Sequence, residues 1–340
     1  MKKRQITIKD IANALNISPS TVSRSLADHP DISLITKERV IEFTKVHGYK
    51  PNVLASSLRT SNSKTIGVII PQIVHYFFSS VLTGIEDEAE KAGYKIFICQ
   101  SNEIYEKEVK AVQALLETRV CGVLASVAKT SARYEHFQDL IDNDIPMVFF
   151  DRICTGILTD RIVVDDYAGS HNAVDYMVKT GCRRIAFFGT LSHLPINNNR
   201  RMGYEDALRR NGLPVDPVLM RVCDNYTDAL ALTPQLLALP EPPDAFFAVN
   251  DETAVGILNV VKSLGYKVPD QVSICGFTNS VLSEYCDPML TSVDQHSYEL
   301  GATAMQLLLD KITTPSDNHQ LASRVIKTQL VVRNTTRPLS

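Results

Sequence analysis

The stretch 7-TIKDIANALNISPSTVSRSL-26 contains two helical patterns separated by a short break. Thr7 and Asp10 stand at the spacing of a capping box. Apolar side chains then recur at helical spacing, at Ile8, Ile11, Ala12 and Leu15. After the break, Ser18 can cap a new helix whose first turn tolerates Pro19. The predicted elements are a helix at residues 7–15 and a second helix at about 19–26, joined by a tight turn.

A third helix is expected to follow Thr36. Its inward-facing residues should be Val40, Phe43 and His47, and Gly48 should end it. Two short helices joined by a tight turn and braced by a third form a helix-turn-helix, whose second helix enters the major groove of DNA.

The second helix has one apolar and one polar face. Val22 and Leu26 should face inward, which leaves Pro19, Ser20, Ser23 and Arg24 outside. Small hydroxyls permit close approach to DNA, and the fork of Arg24 matches guanine O6 and N7. The alternative is a serine-rich helix start of an ordinary three-helix bundle, with Arg24 a solvated surface residue.

Charge is distributed unevenly along the 340 residues, although the net charge is only −3. Residues 1–60 contain ten Lys/Arg and five Asp/Glu, whereas the remainder contains 25 and 33. A basic head on an acidic body is typical of a chain that meets phosphate at one end. The length suits two or three domains, and an apolar content of 44% excludes a disordered or fibrous chain.

The seven cysteines are odd in number and include no CxxC pair, so neither a disulfide framework nor a zinc site is expected. The start MKKRQITIKD has no apolar run, and no later segment approaches the roughly 18 apolar residues of a spanning helix. We expect a cytoplasmic protein with no membrane segment, no metal and no cofactor.

From Lys64 onward, β-branched runs alternate with helical stretches in two series. The first series runs from TIGVII to PMVFFD, and the second from RIVVDD to VSICGF. Such alternation predicts parallel sheets covered on both faces by helices, and two series imply two α/β lobes with a cleft between them.

Polar residues just after the strands are the candidates for ligand binding in that cleft. They are Asp151 and Arg152, Asn250 and Asp251, and Thr278 and Asn279. We expect Arg200 to start the helix after the loop GTLSHLPINNN, and Phe77-Phe78 to stack on a ring. Helix capping is the alternative for Asn250 and Asp251.

The segment 6-ITIKDIANALNISPSTVSRSLADHPDISLITKERV-40 and the following GYKPNVLASSLRT resemble the DNA-binding head of the LacI/GalR family of bacterial transcription regulators. The resemblance continues through IGVIIP, the Asp151-Arg152 pair, VNDETAVG and LTSVDQH, and so covers nearly the whole chain. It implies a helix-turn-helix head, a hinge and a body like a periplasmic binding protein. The implied boundaries are residues 1–50 for the head, 51–63 for the hinge and linker, about 64–162 and 292–322 for the N-lobe, and about 163–291 and 323–337 for the C-lobe.

The resemblance also implies site residues. Those for DNA are Thr7, Pro19, Ser20, Thr21, Ser23, Arg24, Asn52, Ala55 and Leu58. A hinge helix as short as 51–60 should order only against a second hinge and the minor groove, where Leu58 can wedge between bases or instead pack on the protein. Those for the effector are Phe77, Phe78, Asp151, Arg200, Asn250, Thr278 and Gln295.

The chain departs from the family pattern at several positions. Ala27 replaces an asparagine, and Ser56 an arginine. His75-Tyr76 replaces Asn-Pro, and Thr278 replaces the aspartate of sugar-binding members. Because Thr278 removes a carboxylate facing Arg200, a sugar acid or sugar phosphate is the first expected effector. A neutral sugar or a nucleobase comes second. A structural salt bridge is the alternative role for Arg200.

The expected function is a homodimeric repressor of carbohydrate or related catabolic genes that binds a palindromic operator and responds to a small-molecule effector. Two other classes compete. An enzyme is disfavoured because GxGxxG, GxxxxGK[ST], GxSxG and metal-spaced histidines are missing from the sequence. A freestanding receptor of the periplasmic type fits the two lobes but not the basic head.

Overall fold

The computed structural model describes residues 6–49, 63–313 and 321–339, and it divides the chain into two units, Met1–Ser63 and Lys64–Ser340. Between residues 6 and 49, the described part of the first unit contains three helices: α1 (Ile8–Leu15), α2 (Pro19–Leu26) and α3 (Leu34–Val46). Ile11, Ala12, Val22 and Val40 form its buried core.

The capping signals of the first unit act as predicted. The Thr7 backbone N–H donates to the Asp10 carboxylate, and the Asp10 N–H donates to the Thr7 hydroxyl, which closes the capping box. The Ser18 hydroxyl accepts from the backbone N–H of Thr21 at 3.1 Å and caps α2. Each such cap contributes about 1 kcal/mol to helix stability.

The third helix differs from the prediction in two respects. It begins at Leu34, before Thr36, because Ser33 caps it. His47 is exposed, and Thr44 is buried instead. The reason is that the helix ends at Val46, so His47 lies past the last turn and stacks on Phe43 with ring centroids 4.0 Å apart. Gly48 follows with φ +64°, which confirms the predicted stop.

The second unit begins with a run of alternating strands and helices. These are β1 (Thr65–Ile70), α4 (Tyr76–Lys91), β2 (Lys95–Gln100), α5 (Tyr105–Thr118), β3 (Gly122–Ala125), α6 (Glu135–Asp142), β4 (Met147–Phe150) and β5 (Asp160–Val164). A second run follows with α7 (Asp166–Lys179), β6 (Ile185–Gly189), α8 (Pro195–Arg210), β7 (Met220–Val222), α9 (Tyr226–Leu237), β8 (Ala245–Ala248), α10 (Asp251–Ser263), β9 (Ser273–Thr278), α11 (Leu282–Tyr285) and β10 (Thr291–Asp294). The last elements are α12 (Ser297–Thr313), β11 (Ser323–Ile326) and β12 (Gln329–Val331).

The strands form two six-stranded sheets, one per lobe. The N-lobe sheet has the order β11-β5-β4-β3-β1-β2, and all its pairings are parallel. The C-lobe sheet has the order β12-β10-β9-β8-β6-β7, and among its described strands only the β10–β12 pairing is antiparallel. Both faces are covered: in β1, Ile66, Val68 and Ile70 pack into one core, and Ile69 packs into another.

The lobe boundaries differ from the sequence-based ones by a few residues. β5, predicted to open the second series, pairs with β4 in the N-lobe sheet. β11, predicted in the C-lobe, pairs with β5. The chain therefore crosses between lobes after Val164, after Asp294 and after Ile326. A β-branched run predicts a strand but does not show which of two similar sheets it joins.

Candidate functional site

The outer face of α2 is exposed as predicted, except at Ser23. Pro19, Ser20 and Arg24 are exposed, and Thr21 and Ser23 are half-buried. The side chain of Arg24 is 56% exposed, and its Nη1 lies 4.0 Å from Asp31 Oδ2, a loose contact that leaves the guanidinium accessible. The hinge residues Asn52, Ala55 and Leu58 lie outside the described residues.

A cavity of about 680 Å³ lies between the two lobes, at the carboxyl ends of both sheets. All seven candidate effector residues line it: Phe77, Phe78, Asp151, Arg200, Asn250, Thr278 and Gln295. The structure thus brings together side chains that are up to 218 positions apart in the sequence. The volume of the cavity is typical of a small-molecule site. Binding of an effector by these residues stays a prediction.

Asp151 is the lining carboxyl with the weakest partners. It is 5% exposed, its Oδ2 lies 3.5 Å from the Ser126 hydroxyl, and the Nε of Arg152 is 3.9 Å away. Burial raises the pKa of Asp151 to about 6, against the opposing effect of the neighbouring arginines. A ligand that donates a hydrogen bond to this carboxyl would add a closer partner than the Ser126 hydroxyl provides.

Arg200 is held by the C-lobe itself. It lies in the second turn of α8, which begins at Pro195, and does not start that helix as expected. Its Nε donates to Asp166 Oδ1 at 2.7 Å, and its Nη1 donates to the Val249 carbonyl at 2.5 Å. The guanidinium carbon lies 3.8 Å from the centroid of the Phe277 ring.

A glycine one turn later in α8 makes this arrangement possible. A Cβ at Gly203 would lie 2.4 Å from the Tyr167 carbonyl oxygen, so only glycine allows α8 to approach the backbone of α7 this closely. Asp166 is in the first turn of α7, and the close approach brings it to Arg200.

The reason for expecting an acidic ligand was wrong, because a buried carboxylate already pairs with Arg200.

Asn250 and Asp251 both serve the fold. Asn250 caps α10, with its Oδ1 accepting from Thr253 N–H and its Nδ2 donating to the Asp224 carbonyl, each at 2.8 Å. Asp251 is buried and accepts from Ser280 and Ser292. The capping alternative is therefore correct for Asn250, although its side chain also faces the cavity.

Two further predicted residues contact each other. The Thr278 hydroxyl donates to Gln295 Oε1 at 3.1 Å, and both residues are buried. They leave neutral polar atoms at this part of the cavity wall.

The sequence reasoning missed four charged lining residues: Glu103, Lys129, Asp224 and Glu252. Glu103 follows β2, Lys129 follows β3 and Asp224 follows β7, so the rule of inspecting residues after strands would have found them. Glu103 accepts from Arg152 Nη1 at 2.7 and 2.9 Å, and Lys129 pairs with Asp224 at 2.7 Å. Each arginine or lysine of the cavity thus has a carboxylate partner.

No group of three or more potential metal ligands occurs among residues 6–49, 63–313 and 321–339. Of the helices in those segments, none combines the length and apolarity needed to cross a membrane.

A helix-turn-helix head and a two-lobed body that encloses a cavity define the class of ligand-responsive, DNA-binding transcriptional regulators. Comparison with known proteins identifies the family. Residues 7–52 match the bacterial regulatory proteins of the lacI family, and residues 174–336 match the periplasmic binding protein-like domain. The chain belongs to the LacI family, as the sequence resemblance indicated.

Relatives and solved structures agree with this assignment. The chain is 33% identical over 336 residues to the HTH-type transcriptional repressor CytR of Escherichia coli (strain K12), covering 98% of this chain and 97% of CytR. A LacI family regulator from Enterococcus faecium, solved with bound ribose, has a TM-score of 0.71 at 26% identity, covering 81% of this chain and all of that one. The lac repressor dimer bound to operator and the anti-inducer ONPF has a TM-score of 0.86 at 23% identity, covering 98% and 100% of the two chains, and shows the shared fold.

Proposed function

We propose that this protein is a repressor that binds a palindromic operator as a homodimer, and whose operator affinity is set by a small molecule held between its lobes. The exposed outer face of α2 supports DNA binding. CytR is a repressor by name, and the lac repressor was solved as an operator-bound dimer. The body acts by binding rather than by catalysis, and the protein works in the cytoplasm.

In this proposal the head reads DNA through α2. Pro19, Ser20 and Arg24 contact bases, and Thr21 and Ser23 contact the backbone. The hydroxyls of Ser20 and Thr21 lie 2.6 and 2.8 Å from that of Ser18, which orients them at the start of the helix. Thr7 supports the head through its capping box, and the hinge residues complete the site in the minor groove.

The effector is a neutral, hydroxyl-bearing molecule such as a sugar. The observation that carries this proposal is the buried carboxyl of Asp151 in a cavity whose lysine and arginines are already paired. A hydroxyl can donate to Asp151, whereas an acidic group would meet a carboxylate with no surplus cation to balance it. Ribose in the Enterococcus faecium relative is consistent with this class.

A nucleobase or nucleoside is the second candidate. Phe77 and Phe78 line the cavity with ring centroids 5.1 Å apart, and a planar base can stack on Phe77. An amino group on that base would supply the donor that Asp151 requires.

Thermal shift of the full-length protein decides among these ligands, because a ligand that binds the native state raises its melting temperature. The series pairs ribose with ribose phosphate and glucose with gluconate, and adds adenine and adenosine. We expect the neutral member of each pair to stabilise the protein more. Stronger stabilisation by the acidic member would contradict a neutral effector. If the compounds that bind leave operator binding unchanged, the regulatory role is contradicted.

A further inference from the structure

One ion pair and one histidine–carboxylate contact join the lobes across the cavity. Lys129 Nζ lies 2.7 Å from Asp224 Oδ2, and His75 Nδ1 lies 3.3 Å from Glu252 Oε2. Lys129 and His75 belong to the N-lobe, and their partners belong to the C-lobe. All four residues line the cavity. The lobes are therefore joined by side-chain charges as well as by the three chain crossovers.

The Lys129 pair is the better built of the two. Its side chains are 25% and 15% exposed, against 40% and 39% for His75 and Glu252. The backbone carbonyl of Lys129 also accepts from His193 Nε2 of the C-lobe at 2.8 Å. Lys129 thus contacts the opposite lobe through both its side chain and its main chain, and solvent screens the ion pair only partly.

On the N-lobe side, Lys129 is fixed by a glutamate that reaches the cavity. Its backbone N–H donates to Glu103 Oε2 at 2.8 Å, and the same carboxylate binds Arg152. The neighbouring Ala128 N–H donates to the fully buried Glu108 at 2.6 Å. The loop that carries Lys129 is therefore held by two glutamates, one of which also binds a cavity arginine.

On the C-lobe side, Asp224 is fixed equally well. Its carboxylate accepts from the Thr190 hydroxyl, and its carbonyl accepts from Asn250 Nδ2 at 2.8 Å. Burial raises the pKa of Asp224, but Lys129 and Thr190 outweigh that effect and the pKa is lowered, so the carboxylate is charged.

We propose that Lys129 is a latch residue, whose ion pair with Asp224 holds the two lobes closed and sets the balance between open and closed states. The network runs from Arg152 through Glu103 and Lys129 to Asp224 and Asn250. A ligand that touches Arg152 or Asn250 therefore acts on the same hydrogen bonds that keep the lobes together. This role rests on the proposed function, since closing of the lobes is what an effector would bias.

Single-molecule energy transfer between the lobes tests the latch without effector or DNA. Dyes are attached to non-natural keto side chains at the exposed positions 107 in α5 and 235 in α9, and labelled protein is mixed with excess unlabelled protein so that each dimer contains one labelled chain. Lys129→Glu should lower the ratio of closed to open molecules about ten-fold, within the usual range of conformational coupling. The charge swap Lys129→Glu with Asp224→Lys should restore it.

If the Lys129→Glu protein does not fold, the milder variants Lys129→Gln and Asp224→Asn serve the same test. Circular dichroism verifies that each variant is folded. The matched control is Lys91→Glu, which breaks an ion pair with Glu88 inside one helix and should leave the ratio unchanged. An unchanged ratio in the Lys129 and Asp224 variants, or a charge swap that restores nothing, would overturn the latch. Because neither ligand nor operator is present, that result would leave the proposed function standing.

Discussion

The guanidinium of Arg200 and the carboxylate of Asp166 form a buried ion pair, with 2.7 Å between Nε and Oδ1. Burial raises the pKa of Asp166, and Arg200 opposes that shift. The pair connects the second turn of α8 to the first turn of α7 at the cavity wall. Arg200 is therefore first a structural residue and only then a candidate for ligand contact.

Arg200→Ala should reduce the free energy of unfolding by about 3 kcal/mol, because it leaves the Asp166 carboxylate buried without a partner. Denaturation in urea measures the loss. Arg200→Ala combined with Asp166→Ala should cost less than the sum of the two single changes. Arg209→Ala, an exposed arginine on the same helix, is the control and should change little. If the losses in the free energy of unfolding from the two single changes add up to that of the double change, the two residues do not interact.

Gly203→Ala should destabilise the C-lobe by roughly 1–3 kcal/mol, since the added methyl would overlap the Tyr167 carbonyl. The shift of α8 away from α7 should also displace Arg200 and weaken ligand binding. Gly212→Ala is unsuitable as a control because its φ is +70°. Ser170→Ala, on the facing helix, is the control: it leaves Gly203 in place and should lower the free energy of unfolding by less. Equal stability of Gly203→Ala and the native protein would refute the close approach.

Asp151 should make stability depend on pH. Its pKa is about 6 in the folded protein and near 3.9 in an unfolded chain, so between these values the folded state binds more protons. The free energy of unfolding therefore increases as pH falls from about 6 to about 4. At neutral pH it is about 2–3 kcal/mol lower than near pH 4 because of Asp151. Asp151→Asn should be more stable than the native protein at neutral pH, and the difference should vanish near pH 4. A difference that does not vary with pH would contradict this account.

Arg24→Ala should weaken operator binding by roughly 1–3 kcal/mol and relax the preference at one base position of each half-site. A binding titration on a set of single-base operator variants measures both effects. Arg210→Ala, an exposed arginine of the second unit, removes the same charge and should alter neither. An Arg24→Ala protein that keeps the native base preference would refute the assignment.

The sequence predicted local structure better than long-range partners. Capping and hydrophobic periodicity act over a few residues, so they can be predicted from the sequence. The caps at Thr7 and Ser18 start their helices, and the run TIGVII forms a strand. The partner of Arg200 lies 34 positions away at Asp166, and that of Lys129 lies 95 positions away at Asp224. Neither pair has a spacing signal. The sheet that β5 joins is likewise decided by the tertiary fold.

Operator affinity in the presence of a cavity ligand tests the central claim most directly. The ligand is the neutral compound that gives the largest thermal shift, and the proteins are the native chain and Asp151→Ala. We expect the compound to change the operator affinity of the native protein by about five-fold or more, and to have no effect on Asp151→Ala, which still binds operator. A compound that binds the native cavity but leaves operator affinity unchanged would contradict the account.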